Sequence, residues 1–246
     1  MKIGIIGAGN IGATLARKFV AAGHAVKLAG SKGADDVRDK AEQIGATPAA
    51  AHDAVKDVDV VVLSIPFAKI PDVASVFAVV PDAVIVIDTS NYYPMRDGVI
   101  QAVEDGQPES VWSSELICHP VIKAFNAVLA HRLAANGQPA GTAGRIALPV
   151  AGDDAHGKDV ARQLVDAAGF DSVDAGALAD SWRHQPGTPA YCTELAADDL
   201  RAALSQADLA RAPKNRDAIM QALMNATTPP SHEQIVAHNR EATGAR

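Results

Sequence analysis

The feature that most constrains the fold of this chain is a glycine-rich segment close to its amino terminus. Residues 7–12 read Gly-Ala-Gly-Asn-Ile-Gly, which matches the pattern G-x-G-x-x-G. The apolar run Lys2–Ile6 before it predicts a buried strand, and apolar residues at helical spacing predict a helix over 10–22 that ends at Gly23. Between a strand and a helix, such a pattern places backbone amides where they can hold a diphosphate. The segment therefore predicts a dinucleotide-binding turn.

Each glycine of this segment has its own predicted role. Gly7 permits the tight turn, Gly9 lets the backbone approach a pyrophosphate, and Gly12 lets the helix pack closely on the strand. The alternative is a tight turn that binds nothing, and the strand, helix and second strand around the pattern disfavour it.

Short apolar runs alternate with longer amphipathic segments through the first half of the chain. Strands are predicted over residues 2–6, 25–29, 46–49, 58–65 and 83–88. The run Val60-Val61-Val62-Leu63 is too continuous for a sheet that is buried on one face, so it indicates burial on both faces. The sequence therefore predicts an α/β protein, with a Rossmann-type doubly wound parallel sheet and a smaller C-terminal capping portion.

The second half of the chain has a looser pattern. Gly, Pro and Asn collect between residues 126 and 144, which predicts a boundary between a dinucleotide-binding domain, 1–128, and a C-terminal domain, 129–246. Asp153 and Asp154 stand between a predicted strand and a helix over 154–168, where capping explains them better than acid–base chemistry does. Thr188-Pro189 predicts the start of a helix that reaches about residue 207. Ser231-x-x-Gln234 predicts a capping box before a final helix.

The end of the second strand bears on the choice of cofactor. An NAD site expects a carboxylate there for the ribose 2′-hydroxyl, but the segment Leu28-Ala29-Gly30-Ser31-Lys32 has none before Asp35. A hydroxyl at Ser31 and an ammonium at Lys32 suit a 2′-phosphate instead. The sequence therefore favours NADP(H), with an ordinary solvated turn as the alternative.

Two other strand ends supply candidate site residues, because open sheets bind ligands outside the carboxyl ends of their strands. The run Ser64-Ile65-Pro66-Phe67 ends the fourth strand. Pro66 ends the hydrogen bonding between strands there, and its ring can form one wall of the site for the cofactor ribose. The run Thr89-Ser90-Asn91-Tyr92-Tyr93 ends the fifth, which brings hydroxyls, an amide and two aromatic rings to the expected nicotinamide position. For Tyr92 and Tyr93, packing of the loop onto the core is the alternative.

Composition narrows the classes of partner. Lys and Arg number 22 against 29 Asp and Glu, a net charge of −7, so nucleic acid is not an expected partner. Cys118 and Cys192 form neither a disulfide framework nor a zinc spacing, and the histidines show no metal-ligand spacing. With no apolar stretch long enough to span a membrane, we expect a cytoplasmic protein without a metal or a membrane partner.

Several motifs occur in a fixed order along residues 1–182. They are Gly7–Gly12, Gly30-Ser31-Lys32, Ser64-Ile65-Pro66, Lys123-Ala124-Phe125-Asn126, Val150-Ala151-Gly152-Asp153-Asp154 and Val173-Asp174-Ala175-Gly176-Ala177-Leu178. In this order they resemble the NADP oxidoreductases of the coenzyme F420-dependent family, to which the NADPH-binding domain of metalloreductases is also similar. The glycine motif is generic to dinucleotide folds, whereas the later motifs are more specific.

The resemblance implies an NADP(H)-dependent oxidoreductase that is a homodimer, with the C-terminal portion covering the nicotinamide. Hydride would pass directly between NADPH and a second redox cofactor or small acceptor that is F420- or flavin-like. By position, the resemblance assigns Gly7, Ala8, Gly9, Asn10 and Ile11 to the pyrophosphate, Ser31 and Lys32 to the 2′-phosphate, Ile65 and Pro66 (beside Ser64) to the ribose, and Ala124 and Asn126 to the nicotinamide. It assigns no catalytic residue.

The segment 181–191 departs from the family pattern and supplies the acceptor-pocket candidates Arg183, His184 and Tyr191, while the tail 213–246 has no assigned role.

Two other functions stay open. A non-enzymatic NADP(H)-binding redox sensor would have a blocked nicotinamide face, and a dehydrogenase of a small hydroxy acid would need Lys123 and Arg183 beside the nicotinamide. His119 is a candidate proton donor, with a structural role as the alternative. No Tyr-x-x-x-Lys pair supports a tyrosine-acid alcohol dehydrogenase.

Overall fold

The computed structural model describes residues 1–226 and 228–245. Six strands form one parallel sheet in the order β3-β2-β1-β4-β5-β6. These strands are β1 (Lys2–Ile6), β2 (Ala25–Ala29), β3 (Thr47–Ala49), β4 (Val60–Leu63), β5 (Ile85–Asp88) and β6 (Val121–Lys123). This order is that of the doubly wound dinucleotide-binding fold, so the predicted fold class is confirmed.

Helices cover both faces of this sheet. They are α1 (Asn10–Ala21), α2 (Ala34–Ile44), α3 (Ala51–Ala54), α4 (Ile70–Phe77), α5 (Pro94–Asp97), α6 (Gln101–Glu104), α7 (Glu109–Ile117) and α8 (Ala130–Ala135), with a short 3₁₀ turn at Phe67–Lys69. All four residues of β4 are fully buried, as its continuous apolar run predicts. Val60 and Val62 pack into one core cluster and Val61 and Leu63 into the other, because successive side chains of a strand point to opposite faces.

A second, two-stranded parallel sheet is joined to the edge of the first. Its strands β7 (Ala147–Val150) and β8 (Asp171–Asp174) are connected by helix α9 (Ala155–Ala167). The backbones of Lys123 and Ala151 exchange hydrogen bonds of 2.8 and 3.1 Å across the junction. Residues on both sides of the predicted boundary at 128/129 share one apolar core cluster. The division into two domains therefore stays a prediction.

After β8 the chain forms a 3₁₀ helix at Leu178–His184, then α10 (Ala197–Ser205), α11 (Ala212–Met224) and α12 (His232–Thr243). The prediction of a helix from Thr188 was wrong in its first half. Residues 188–196 form a loop, because Cys192 and Glu194 both have φ of +53°, which a right-handed helix does not allow. Contacts from α12 hold this loop in place.

Two predicted helix caps are confirmed. The Asp154 carboxylate accepts hydrogen bonds from the backbone amides of His156 and Gly157, which explains that residue as a cap of α9. Ser231 and Gln234 form the reciprocal capping box of α12. In residues 1–226 and 228–245, no helix has the length and apolar character needed to cross a membrane.

Candidate functional site

A cleft of about 540 Å³ lies at the carboxyl ends of β1, β4, β5 and β6. It opens between β1 and β4, where the order of strands reverses, which is the usual ligand position in open α/β sheets. We call Gly9–Ile11 and Ser64–Pro66 the glycine side of the cleft. We call Tyr93, Arg96, Tyr191 and Cys192 its tyrosine side.

The glycine-rich turn has the geometry that its sequence predicts. Gly7 has φ of +114°, and a Cβ there would lie 2.0 Å from the carbonyl oxygen of Ser64. A Cβ on Gly12 would lie 1.9 Å from the carbonyl oxygen of Gly7, so α1 packs against the turn. A Cβ on Gly9 would meet nothing within 4 Å, and this open side borders the cleft. The residues present therefore fit a diphosphate that approaches the backbone at Gly9.

Gly9 is the N-cap residue of helix α1, so no side chain caps this helix end. The first amide groups of an α-helix have no partner within the helix and carry partial positive charge, so they attract an anion. Asn10 and Ile11, in the first turn, line the cleft.

The predicted cofactor-binding residues fall into three groups. Those that line the cleft are Gly9, Asn10, Ile11, Ser64, Ile65, Pro66 and Asn126. Gly7 and Ala8 form the backbone of the turn, and Ala124 is fully buried behind the cleft. Ser31 and Lys32 are exposed beyond β2, the strand next to β1, at the same edge of the sheet. Their individual roles in cofactor binding remain predictions.

Helix α2 contacts the glycine-rich turn in a way that the sequence did not indicate. The Lys40 ammonium donates a 2.9 Å hydrogen bond to the carbonyl oxygen of Ala8. Gly30 is also required sterically, because a Cβ there would lie 2.3 Å from the Val37 side chain. These contacts hold α2, the helix that follows Ser31 and Lys32, against the turn and against the end of β2.

Asn126 is held in the cleft by a network of hydrogen bonds. Its amide nitrogen donates to Asn91 Oδ1 at 3.1 Å and to the carbonyl oxygen of His184 at 2.8 Å. Burial, together with the nearby Lys123 charge, lowers the pKa of His184 to about 3, so the ring is neutral. Its Nδ1 lies 3.0 Å from Asn126 Oδ1, which can only accept, so Nδ1 carries the proton. Phe125, at φ of +60°, turns the chain between β6 and Asn126.

Lys123 is fully buried beneath the cleft. Its ammonium lies 3.3 Å from Asp88 Oδ2 and donates a hydrogen bond to the carbonyl oxygen of Ser90. Asp88 also accepts from the hydroxyls of Ser90 and Ser110, at 2.6 and 2.7 Å. The buried ion pair is thus satisfied by further hydrogen bonds and anchors the loop that follows β5.

The tyrosine side of the cleft brings together residues from distant parts of the chain. The hydroxyls of Tyr93 and Tyr191 lie 2.7 Å apart, in hydrogen-bond contact. The Arg96 guanidinium lies over the Tyr93 ring, 5.2 Å from its centroid. Burial raises the pKa of both tyrosines above the usual value of 10, and burial raises the pKa of the Cys192 thiol to about 12. The cleft therefore presents neutral hydroxyls and a neutral thiol at physiological pH.

Several other candidates lie outside the cleft. The Tyr92 ring packs on Phe67 in the core, and its hydroxyl accepts from the backbone amide of Ile100. His119 Nδ1 lies 2.9 Å from the carbonyl oxygen of Pro120, which fits the structural alternative. Arg183 lines a separate cavity with Arg201 and Leu204. Lys123 and Arg183 thus do not form the pair that a hydroxy-acid dehydrogenase requires.

Sequence reasoning missed Arg96, Cys192 and Leu129, all of which line the cleft. Arg96 was within reach of prediction, because it lies three residues beyond Tyr93 in the sequence. Cys192 and Leu129 had no local signal, since the fold alone brings them to the cleft.

Comparison with known proteins supplies relatives for the fold and the glycine-rich turn. The family described as NADP oxidoreductase, coenzyme F420-dependent, matches residues 2–92. Protein YjhV of Escherichia coli K12 is 35% identical over 105 residues, which make up 43% of this chain and 77% of YjhV. The solved structure of protein SMa0349 from Sinorhizobium meliloti is 31% identical, with a TM-score of 0.62 over 74% of this chain and 87% of that one.

A candidate F420-dependent NADP reductase from Arthrobacter sp. FB24 is 22% identical, with a TM-score of 0.57 over 72% of this chain and 86% of that one, and it supports the fold alone. The fold and the glycine-rich turn define a dinucleotide-binding protein of the Rossmann class. The chain belongs to the NADP oxidoreductase, coenzyme F420-dependent, family. It is an NADP-dependent oxidoreductase.

Proposed function

We propose that this protein transfers a hydride between NADPH and a second redox cofactor or small acceptor, F420- or flavin-like, bound on the tyrosine side of the cleft. The observation that carries the proposal is the open space beside Gly9, which continues into a single cleft reaching Tyr93 and Tyr191. Its volume, about 540 Å³, is within the range of small-molecule sites. NADPH supplies the hydride, and the protein supplies binding and orientation.

Each group of residues contacts a different part of the cofactor. The α1 amides at Gly9, Asn10 and Ile11 hold the diphosphate, and Ile65 and Pro66 wall the ribose. Asn126, fixed by Asn91 and His184, meets the nicotinamide edge. Ser31 and Lys32 receive the 2′-phosphate, which gives the preference for NADPH over NADH.

A redox sensor with a blocked nicotinamide face fits less well, since Asn126 borders the open cleft. The homodimer implied by the resemblance is tested by molar mass in solution.

The test compares the wild-type protein with Gly9→Ala. We expect stopped-flow oxidation of NADPH by at least one of F420, FMN and menadione, with NADH bound more weakly. The added methyl group meets no protein atom, so the melting temperature should stay the same. It stands where the diphosphate approaches, so the Kd for NADPH should rise about tenfold or more, roughly 1.4 kcal/mol.

Two results would contradict the proposal. Wild-type protein that oxidises NADPH with none of the three acceptors would remove the hydride-transfer function. A Gly9→Ala variant that binds NADPH as tightly as wild type would show that the diphosphate does not lie at this turn.

A further inference from the structure

The cleft holds a pair of hydroxyls whose contact neither the sequence motifs nor the resemblance predicts. Tyr93 follows the carboxyl end of β5 and Tyr191 lies in the loop 188–196, yet their hydroxyl oxygens are 2.7 Å apart. Both residues line the cleft that also contains Asn126. The pair has two O–H protons, and its mutual hydrogen bond uses one of them. The other can be donated to a third group in the cleft.

Reduction of an organic acceptor by NADPH requires a proton as well as a hydride. The hydride forms a new bond at the electrophilic atom of the acceptor, and the displaced electron pair comes to rest on an oxygen or nitrogen that must be protonated. A proton donor beside the acceptor accelerates such a step.

Among the residues that line the cleft in the described parts of the chain, the titratable ones are Tyr93, Arg96, Tyr191 and Cys192. A guanidinium does not release its proton in proteins. The two tyrosines are the members of this group that offer a hydroxyl.

We propose, on the basis of the hydride-transfer function above, that Tyr93 donates this proton and that Tyr191 stabilises the phenolate by donating a hydrogen bond to it. The acceptor class is then a molecule with a C=O or C=N group, in a conjugated ring or alone, whose oxygen or nitrogen reaches the Tyr93 hydroxyl. The Tyr93 O–H bond breaks as the new O–H or N–H bond forms. The phenolate recovers its proton from water, so the net reaction consumes one NADPH and one proton.

Three contacts distinguish Tyr93 from Tyr191 as the donor. The Arg96 guanidinium lies over the Tyr93 ring, where its positive charge favours the phenolate. The Tyr93 backbone amide donates to Asp97 Oδ2 at 2.9 Å, and Arg96 donates to both Asp97 oxygens, so ring and cation are held together. Burial raises the pKa of Tyr93, as do the nearby Cys192 and Glu109, while the Tyr191 hydrogen bond and the Arg96 charge oppose this rise. For Tyr191, the charge of Tyr93 and the hydrogen bond with it both raise the pKa.

Tyr92→Phe is the matched control. It removes the same hydroxyl from the neighbouring residue, but that hydroxyl contacts the Ile100 amide away from the cleft. The test measures single-turnover oxidation of NADPH with whichever of F420, FMN and menadione reacts fastest with wild type, together with the Kd for NADPH.

We expect Tyr93→Phe to slow single-turnover oxidation about 100-fold and Tyr191→Phe about 10-fold, with the Kd for NADPH unchanged. The double variant should be no slower than Tyr93→Phe, because the two hydroxyls act as one unit. Tyr92→Phe should retain the wild-type rate. The wild-type rate should fall in D₂O, and the rate of Tyr93→Phe should not.

A second readout does not depend on turnover. The chain has three tyrosines, so ¹³C labelling at tyrosine Cζ gives three NMR signals that the three single variants assign. Tyr191→Phe should shift the Tyr93 signal, and Tyr92→Phe should leave it in place.

The possible failures are distinguishable. Active wild-type protein with an equally active Tyr93→Phe variant would overturn this inference alone, as would an unshifted Tyr93 signal in Tyr191→Phe. Wild-type protein that is inactive with all three acceptors would overturn the hydride-transfer function and this inference together.

Discussion

The two sides of the cleft are built by different kinds of contact. On the glycine side, the turn uses backbone groups of residues that are neighbours in sequence, and its geometry follows from three glycines within six residues. On the tyrosine side, the paired hydroxyls belong to residues 98 positions apart in the chain. The glycine-rich turn is set by one short run of sequence and packs against the end of β4 at Ser64, whereas the tyrosine pair exists only when distant parts of the chain have folded together.

The tyrosine side depends on the C-terminal helices for its position. Arg240 of α12 donates hydrogen bonds to the carbonyl oxygens of Thr193 and Glu194, and Asn239 donates to that of Cys192. Asn215 of α11 donates to the carbonyl oxygen of Gly187. The tail that had no role in the sequence interpretation therefore supports the loop that carries Tyr191. Substitutions on the glycine side should therefore change cofactor binding, whereas substitutions on the tyrosine side should change turnover of the acceptor.

The largest expected effect comes from Gly12→Ala on the glycine side. Its Cβ would lie 1.9 Å from the carbonyl oxygen of Gly7, a backbone atom that cannot move without opening the turn. We expect the free energy of unfolding to fall by about 3 kcal/mol or more, because overpacking at a backbone contact is among the most destabilising changes. Urea denaturation measures this loss. A Gly12→Ala protein as stable as Gly9→Ala would show that the two glycines do not have separate roles.

The next effect arises outside the cleft, at Glu109 of α7. This buried carboxylate borders a cavity with Gln185 and Arg216, and burial raises its pKa from 4.5 to about 7, against the opposing charge of Lys123. Between those two pH values the folded protein keeps a proton that the unfolded chain has lost. The contribution of Glu109 to the free energy of unfolding therefore falls as pH rises through this window, by about 3 kcal/mol.

Glu109→Gln tests this pH dependence. The variant should match wild type near pH 4.5 and exceed its stability above pH 7, because the amide has no proton to lose. Denaturant unfolding across pH 4–8 measures the difference between the two proteins. Glu115→Gln, on the exposed face of the same helix, is the matched control and should show no such trend. A difference that stays constant with pH would mean that Glu109 titrates normally.

The contrast between the two sides also explains what the sequence could predict. The roles of Gly7, Gly9 and Gly12 depend on φ angles and on the space beside single backbone atoms, so a short motif reveals them. The sheet order follows from alternating strands and helices, because crossover connections between parallel strands are almost always right-handed. Fold class and the glycine-rich turn were therefore predictable.

The loop 188–196 was not predictable from local signals. Thr188-Pro189 has the residue types of a helix start, but Cys192 and Glu194 adopt left-handed φ angles that only tertiary contacts stabilise. Those contacts come from Arg240 and Asn239, about 47 residues away. No helix or turn signal in the local sequence indicates a contact with so distant a residue. The position of the loop, and with it the pairing of Tyr93 with Tyr191, could therefore be seen only in the structure.

Arg240→Met tests whether α12 supports only the tyrosine side of the cleft and not the glycine side. The change removes two charge-assisted hydrogen bonds to carbonyl oxygens, 2.8 and 3.2 Å long, from a partly exposed side chain. We expect a loss of about 1–2 kcal/mol in the free energy of unfolding. We also expect a higher KM for the acceptor with an unchanged Kd for NADPH. Arg201→Met removes an exposed ion pair on α10 and should change neither. A weakened NADPH complex in Arg240→Met would show that the two sides are coupled.

The smallest expected effect concerns the exposed end of β2, which extends the glycine side towards the 2′-phosphate. Lys32→Gln removes a solvated point charge, so we expect the KM for NADPH to rise about fivefold, near 1 kcal/mol, with the KM for NADH unchanged. The preference of wild type for NADPH should weaken as salt is added, because salt screens exposed charges. Lys56→Gln, an exposed lysine paired with Asp53, is the control. If Lys32→Gln keeps the full preference for NADPH, the phosphate has another partner, and Lys40, already bonded to the turn at Ala8, is the next residue to change.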